Sequence, residues 1–530
     1  MRKRSKFSLS HYRLFSGRMG YMMPIGITEC LPGDTFQQAT SVFLRCSPLV
    51  TPVMHPVHVT VHHWFIPTRL LWDDWEDFIT GGPDGMNASI MPTIKAPAEG
   101  GFAVGSLADY MAVPSGIPNL EVCALPFRAY ALLYNECYRD QDLEQELPLS
   151  LESGLDSTTS TALQRCDWAR DYFTTARPWP QKGPAVSVPV NLTQAGQPSF
   201  NIVGNGAPSF SAIADEASGD YVSDKLLTVD WARVPANPVR ATQFGPDAKF
   251  SYNGPTWSSA TQEASGQSPL YWHNPALKLN FTPGNPEFGS VDINQLREAF
   301  ALQRFEEHRA LYGSRYVEYL RYLGVKSSDA RLQRPEYLGG SRQTIQFSEV
   351  LQTAPGGEDP VGALKGHGIG AMRTNRYRRF FEEHGYVLTV MMVRPISVYM
   401  QGLSRMWNRR VKEDYYQREL QNIGQQEVLT KELYAGNEQG PTADDTVFGY
   451  QNRYDEYRWH ESYVSGEFRN ILNSWHMARD FANEPTLNAD FINAVPTTRI
   501  FAAQQNDTLY CMANHSIQAR RLMSKYGNPI

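Results

Sequence analysis

The stretch VHVTVHHWFI, Val57 to Ile66, sets Val57, Val59, Val61, His63 and Phe65 on one side of an extended chain. His58, Thr60, His62, Trp64 and Ile66 fall on the other. A period of two with one more apolar side is the pattern of a β-strand lying on a core. The same reading extends outward in both directions. Asp34–Cys46 aligns Val42, Leu44 and Cys46, and Pro184–Leu192 aligns Val186, Val188, Val190 and Leu192, with Pro189 implying an edge position. Ser341–Val350 puts Ile345 and Phe347 on one face, and Tyr386–Val393 reads as a fifth strand. Strands near both ends of the chain, joined by long connections, predict an antiparallel sandwich with interrupted loops.

Composition agrees. The chain has 530 residues, 42% hydrophobic and 20% charged, which excludes global disorder and suggests several domains or one heavily inserted domain. Aromatics at 12%, with 40 Gly and 35 Pro, favour a β-rich, loop-rich protein over a helical bundle. A net charge of -6 argues against a chain that coats nucleic acid with its whole surface. The strongest apolar run, Val387–Val393, is seven residues, far short of the roughly 18 to 20 that span a bilayer. Six scattered cysteines without a C-x-x-C pair predict reduced core residues, neither a disulfide framework nor a zinc site.

Helices are few. Asp292, with Gln295 completing a capping box, predicts a helix from Ile293 to about Tyr322 with Ile293, Leu296 and Phe300 on one side. Phe127–Tyr138 is a second helix, and Asp73–Phe78 a short turn whose acids suit a helix start. Between Gly183 and Asp292 lie 12 of the 35 prolines and no sustained helical period, so this stretch is a long loop region. Its Trp231, Phe244, Tyr252, Trp257, Tyr271 and Trp272 favour a folded, projecting insertion over a mobile loop. Charge is blocked: residues 371–412 carry nine Lys/Arg against two acids, and 413–461 carry eleven acids against four bases. Such blocks are either solvated faces or contacts with a neighbouring copy.

Catalytic signatures fail one by one. Gly366-His-Gly-Ile-Gly370 has the spacing of neither phosphate-binding loop. His55, His58, His62 and His63 look like a metal site, but on a strand His58 and His62 stand about 13 Å apart and His63 points away. They read as packing or interface residues. The acids of Asp73-Asp-Trp-Glu-Asp77 lie in one turn, whereas a glycosidase pair faces across a cleft. No cofactor is expected. The termini are different. Arg2, Lys3, Arg4, Lys6 and Arg13 mix with Phe7, Tyr12 and Phe15, and the other end offers Arg520, Arg521 and Lys525. Cations for phosphates and rings for unstacked bases are what sequence-neutral single-strand binding needs, although basic termini are also commonly just solvated.

Longer phrases carry a resemblance. GDTFQQATSVFLRCSPLVTPVMHPVHVTVHHWFIPTRLLWDDWEDFITGG (Gly33–Gly82), LPFRAYALLYNECYRDQDL (Leu125–Leu143), SSDARLQRPEYLGG (Ser327–Gly340) and RPISVYMQGLSRMW (Arg394–Trp407) are four of them. FGYQNRYDEYRW, VSGEFR and WHMARDF follow between Phe448 and Phe481. In this order they resemble the major capsid proteins of gokushovirus-type Microviridae, small single-stranded DNA bacteriophages. The resemblance covers most of the chain outside 190–285.

It implies a mainly β fold: an eight-stranded antiparallel jelly-roll sandwich with large loop insertions and a few helices, building a T=1 icosahedral shell around a circular single-stranded DNA genome. The expected organisation is a basic N-terminal arm at 1–30, a first part of the core at 31–189 and a surface insertion at 190–285. The second part of the core then spans 286–498, and a C-terminal tail 499–530. The insertion is where the family's threefold protrusion falls, and the six aromatics named above are candidates for host attachment. Arg2, Lys3, Arg4, Lys6, Arg13, Arg520, Arg521 and Lys525 are candidates for interior contacts with DNA. The implied partners are further copies across fivefold, threefold and twofold contacts, packaged single-stranded DNA, a small basic DNA-binding peptide and a host cell-surface receptor. The implied location is the virion, assembled in the host cytoplasm. Two other classes stay open: a host-surface adhesin or carbohydrate-binding β-sandwich protein, and a β-sandwich hydrolase.

Overall fold

A computed structural model describes residues 4–187, 293–313, 315–353, 361–436, 440–442 and 446–525, and, as backbone alone, Asn437 and the strands lying between 192 and 288. The chain divides into two compact units. One comprises residues 1–185 with 301–530, the other 186–300.

The larger unit is built on two antiparallel sheets. Their strands are β1 (Ser5–Ser8), β2 (His11–Gly17), β3 (Met22–Cys30), β4 (Thr35–Cys46), β5 (Val57–Pro67), β6 (Glu336–Thr344), β7 (Gln346–Leu351), β8 (Leu364–Arg373), β9 (Tyr377–Phe380), β10 (Gly385–Pro395) and β11 (Leu509–Arg521). One sheet runs β11-β4-β8-β7, with β1 and β2 both pairing β11 and β9 pairing β4. The other runs β6-β5-β10-β3. The predicted mainly β, antiparallel sandwich is therefore present, with seven strands in one sheet and four in the other.

The alternation of Val57–Ile66 shows why. Val57, Val59 and Val61 meet Met23, Ile25, Met391 and Val393 of their own sheet and Val42, Leu44, Leu509, Cys511 and Ala513 of the facing one in a single buried core. At the far end Phe65, Val387 and Cys30 close on Phe36, Phe381 and Ile517. The even side of the four-stranded sheet is also covered. Trp64, Ile66, Leu388, Val390 and Met392 pack beneath the connection after β5, chiefly Leu71, Trp72, Leu107 and the face of the helix Leu125–Leu133 carrying Phe127, Tyr130 and Leu133. This explains why the run Val387–Val393 is apolar at every position but Thr389: a strand buried on both faces cannot alternate. Within that connection lie α1 (Trp75–Thr80), α2 (Leu107–Tyr110) and α3 (Leu125–Leu133). The last continues as one π turn, Tyr134–Tyr138, so the expected helix Phe127–Tyr138 changes pitch after Leu133.

Three expectations are corrected. Ser341–Val350 is not one strand: β6 belongs to the four-stranded sheet and β7 to the seven-stranded one. The chain crosses between them at Ile345, whose N–H donates to the Val57 carbonyl (2.8 Å) and whose side chain is buried in the core. Local alternation reads straight through such a corner because both sides face the same core. Pro184–Leu192 is irregular at its described residues 184–187, and the nearest strand is only Leu192–Gln194. Pro184 and Pro189 remove two ladder donors. The helix from Ile293 breaks into α4 (Ile293–Tyr312) and α5 (Tyr316–Tyr322). Gly313 at the break has φ +94, and a Cβ there would fall 2.0 Å from Glu318 Oε2. Asp292 lies outside the described residues, and Ile293, Leu296 and Phe300 are exposed.

The four tempting histidines are packing residues. His55 hydrogen-bonds the Ile396 carbonyl (2.8 Å), His58 the Thr344 hydroxyl (3.1 Å) and His62 the Tyr138 hydroxyl (2.8 Å). His63 lies between the sheets with the hydroxyls of Thr389 (2.9 Å) and Thr374 (3.1 Å). Nearby His515 donates from Nε2 to the Ile25 carbonyl (3.0 Å) and faces the Thr40 hydroxyl at Nδ1 (2.9 Å). That carbonyl is available because the β3–β10 register slips at Ile25. The imidazole then fills the space over Gly26, where an added Cβ would stand 2.8 Å from Cε1. Gly26→Ala is expected to cost about 1–3 kcal/mol through this overpacking, measured as a fall in urea midpoint at unchanged m-value.

The smaller unit consists of short antiparallel pairings: Ser199–Val203 with Lys278–Thr282, Leu192–Gln194 with Pro286–Phe288, and two three-stranded sheets.

Candidate nucleic-acid interface and charged surfaces

The two basic ends meet on one strand. β2 pairs β11 from His11↔His515 to Gly17↔Leu509, and β1 pairs it from Ser5↔Arg521 to Ser8↔Gln518. Residues 5–17 and 509–521 are thus edge and body of the seven-stranded sheet. Strand parity then sorts the candidate cations. In β11, Leu509, Cys511, Ala513, His515, Ile517 and Ala519 are buried, and the even residues from Tyr510 to Arg520 face outward. Arg520 therefore lies on the sheet's open face, and Lys6 opposite it shares that face. Arg4 stands with its guanidinium 4.9 Å from the centre of the Phe380 ring and donates to the Thr35 hydroxyl (3.3 Å).

Arg13 and Arg521 turn the other way. Arg13 pairs with buried Ala513 in register; burial pulls its pKa down while the charge of Asp109 opposes that shift. Arg521 forms an ion pair with fully buried Asp34 (3.1 Å) and donates to the Glu29 carbonyl (2.7 Å). Burial holds Asp34 above its ordinary pKa, against a backbone hydrogen bond from Leu31 and the charge of Arg521. Lys525 is exposed just beyond β11. Arg2 and Lys3 lie outside the described residues, as do Trp231 and Phe244. Of Tyr252, Trp257, Tyr271 and Trp272 only the strand backbone is described.

Sequence reading missed three cations of the open face: Arg45 on β4, Arg373 on β8 and Arg378 on β9. A signal was present for Arg45, since Val42, Leu44 and Cys46 point inward and parity sends Arg45 out. Arg373 and Arg378 needed the pairing of β4 with residues more than 300 positions away, which no local pattern contains.

Part of the charge in the two blocks is spent inside the chain. Arg405 contacts Glu432 (2.9 Å) and Glu456 (3.7 Å), and Arg409 reaches Glu456 (3.8 Å). These pairs rim a third core of Tyr172, Phe173, Tyr399, Val428, Leu433, Phe448 and Phe491. Arg479 enters it, its guanidinium 4.2 Å from the Phe491 ring centre and 5.0 Å from that of Trp168, donating to the Phe491 carbonyl (2.9 Å). Beside this core Met406, Trp407 and Tyr463 are each more than half exposed. They edge a cleft with Leu403, Ser465 and Arg469 on its walls. Of the acids in the Asp73–Asp77 turn, Asp74 accepts from Ser153, whose hydroxyl also accepts from Trp72 Nε1 (2.8 Å), and Asp73, Glu76 and Asp77 are exposed. Among the described residues no cluster of His, Cys, Asp and Glu has metal-binding geometry, and no helix is long and apolar enough to cross a membrane.

Comparison with known proteins decides what this sandwich belongs to. Residues 1–530 match the family described as Capsid protein (F protein). The chain belongs to that capsid family. It is 33% identical over 580 aligned positions to the Capsid protein VP1 of Chlamydia phage 1, covering 99% of this chain and 95% of the relative. It is 36% identical over 503 positions to that of Bdellovibrio phage phiMH2K, covering 93% and 88%. It is 30% identical over 512 positions to that of Spiroplasma virus 4, covering 92% and 87%. The resemblance to gokushovirus-type Microviridae therefore holds. A capsid subunit is a structural component of a virion, not an enzyme, and it acts by packing against copies of itself.

Proposed function

We propose that this capsid subunit closes into a T=1 icosahedral shell around circular single-stranded DNA after assembly in the host cytoplasm, with the insertion at 190–285 taking part in host attachment. The carrying observation is the exposed apolar set Met406, Trp407 and Tyr463 beside a fully formed core. A solitary subunit leaves this surface in water, while lateral contacts with neighbouring copies bury it. DNA contact is assigned to Arg2, Lys3, Arg4, Lys6, Arg520 and Lys525, aided by a small basic peptide, because a subunit of net charge -6 neutralises little of a genome alone. Support for the attachment role is that residues 186–300 contact mainly one another, as a module carried by the shell would.

Electron microscopy of the purified full chain tests the shell. Closed particles of one diameter are expected, and the same particles added to host cells are expected to compete with phage for adsorption. A stable monomer or small oligomer under all assembly conditions sinks the shell reading. Particles that neither adsorb nor compete sink the attachment role.

A further inference from the structure

We infer that the open face of the seven-stranded sheet is itself the surface on which the subunit holds single-stranded nucleic acid. Arginines take the phosphates, and exposed rings between them take unpaired bases. This deepens, and rests on, the reading of the chain as a DNA-enclosing shell subunit.

Register puts residues of five strands on that face. Arg45 lies between Tyr510 and Ile369, and Ser41 between Asn514 and Arg373. Gln37 lies between Gln518 and Arg378, and Thr35 between Arg520 and Phe380. Leu14 and Tyr12 of β2 extend the rows past Met512 and Asn514. With neighbouring strands about 4.8 Å apart and alternate residues about 7 Å apart, these side chains form a lattice of cations and rings. Tyr12, Tyr510 and Phe380 are 68%, 47% and 43% exposed. Arg45 lies 5.5 Å from the ring centre of Phe43, its neighbour on the same face.

The charges on this face are not neutralised by the fold. Among the described residues Arg45, Arg373, Arg378 and Arg520 make no ion pair, whereas arginines beside them that point elsewhere do: Arg379 pairs with Glu336 and Arg521 with Asp34. No strand contributes an acid to the face. Asp507, at its end, is held by Ser16 and Arg18. In a chain of net charge -6, an acid-free sheet face with unpaired arginines marks a polyanion site. The interleaved rings make it a site for single strands, since stacking needs unpaired bases and a flat sheet has nothing to insert into a duplex groove.

The test uses the full-length subunit with a fluorescent oligothymidylate and with a duplex of the same length, across a salt series. Wild type is expected to prefer the single strand. R45Q/R373Q/R378Q is expected to bind it at least about tenfold more weakly near 0.1 M salt. Its log K against log salt slope should be shallower by about 2, since each lost phosphate contact removes roughly 0.7. Y12A/Y510A is expected to weaken binding with the slope unchanged. A triple variant with wild-type affinity and slope, or equal binding to duplex, overturns the inference. Particles of the triple variant give an independent readout: little nuclease-protected DNA is expected inside, and a full complement overturns the inference while leaving the shell intact. Failure of the wild type to form particles instead strikes the shell reading, which the oligonucleotide titration does not depend on.

Discussion

Exchanging Arg128 for methionine is expected to destabilise the subunit by about 3–5 kcal/mol, the cost of leaving one partner of a buried ion pair without the other. Arg128 sits on α3 and, like Asp156, has no exposed side-chain surface; Nε lies 2.8 Å from Oδ2. The rest of the guanidinium donates to the carbonyls of Leu71 (3.0 Å) and Glu152 (2.8 Å), joining the helix to the chain on either side of it. Asp156 also accepts from the N–H groups of Thr158 and Thr159 and from the Thr159 hydroxyl. Burial alone pushes that carboxyl up, but the Thr159, Arg128 and Thr158 hydrogen bonds outweigh it and hold the pKa below the usual value. Removing Arg128 leaves a charge in the apolar layer covering the four-stranded sheet. Since domains are stable by only about 5–15 kcal/mol, the layer over Trp64 and Leu388 should loosen. R128K should recover little, because an ammonium cannot reach three acceptors set for a planar fork. R128M/D156N should recover more, because asparagine still accepts from Thr159 without stranding a charge. Urea unfolding of unassembled subunit measures all three, and an R128M value within 1 kcal/mol of wild type contradicts the account.

Where the sequence was legible, it was through faces rather than contacts. Val57–Ile66 announced a strand because its odd side is apolar, and Val387–Val393 could be recognised as a strand although it has no period. What it could not show was that both sides of that second strand are covered, because the cover is Leu71, Trp72 and α3, more than 250 residues earlier. The ends of the chain teach the same lesson. Arg13 and Lys6 look equivalent in a basic arm, yet pairing with β11 turns one inward and the other outward. The blocks at 371–412 and 413–461 suit solvated faces or contacts with a neighbouring copy, and no local pattern shows that Arg405, Arg409, Glu432 and Glu456 meet within the chain. Net charge in a window fixes the sign of a surface and not its partner. The long phrases shared with a known family reached the function where spacing and periodicity did not, because a shell subunit has no catalytic constellation for residue chemistry to reveal.

Acidification is expected to cost the subunit roughly 4 kcal/mol between pH 7 and pH 5. Burial pulls His55, His62 and His515 down to about 4 and His63 to about 3, with the charge of His515 adding to the shift of His63. An unfolded histidine titrates near 6.5, so between pH 6.5 and 4 the unfolded chain binds protons that the folded chain refuses. Stability from these groups is therefore fully present above pH 6.5 and is lost as pH falls. Each proton is worth about 1.4 kcal/mol per pH unit, or about 2 kcal/mol per histidine at pH 5. Asp167 opposes this. Burial, then the charges of Glu144 and Asp140, push it up to about 8, so its folded form already holds a proton at pH 5–7. The four imidazoles against Asp167 leave a net uptake of about two protons on unfolding near pH 6, and Glu144 and Glu432, also raised by burial, act in the direction of Asp167. His63→Gln should lower the slope of unfolding free energy against pH by about one proton in that window, because its side chain still reaches Thr374 or Thr389 but no longer titrates. The effect concentrates where the sheets meet: His63 and His515 join the two layers through Thr40, Thr374 and Thr389, so protonating either puts a charge between them. A stability that is flat or rises from pH 6.5 to 5 would show that these imidazoles stay solvated in the folded subunit.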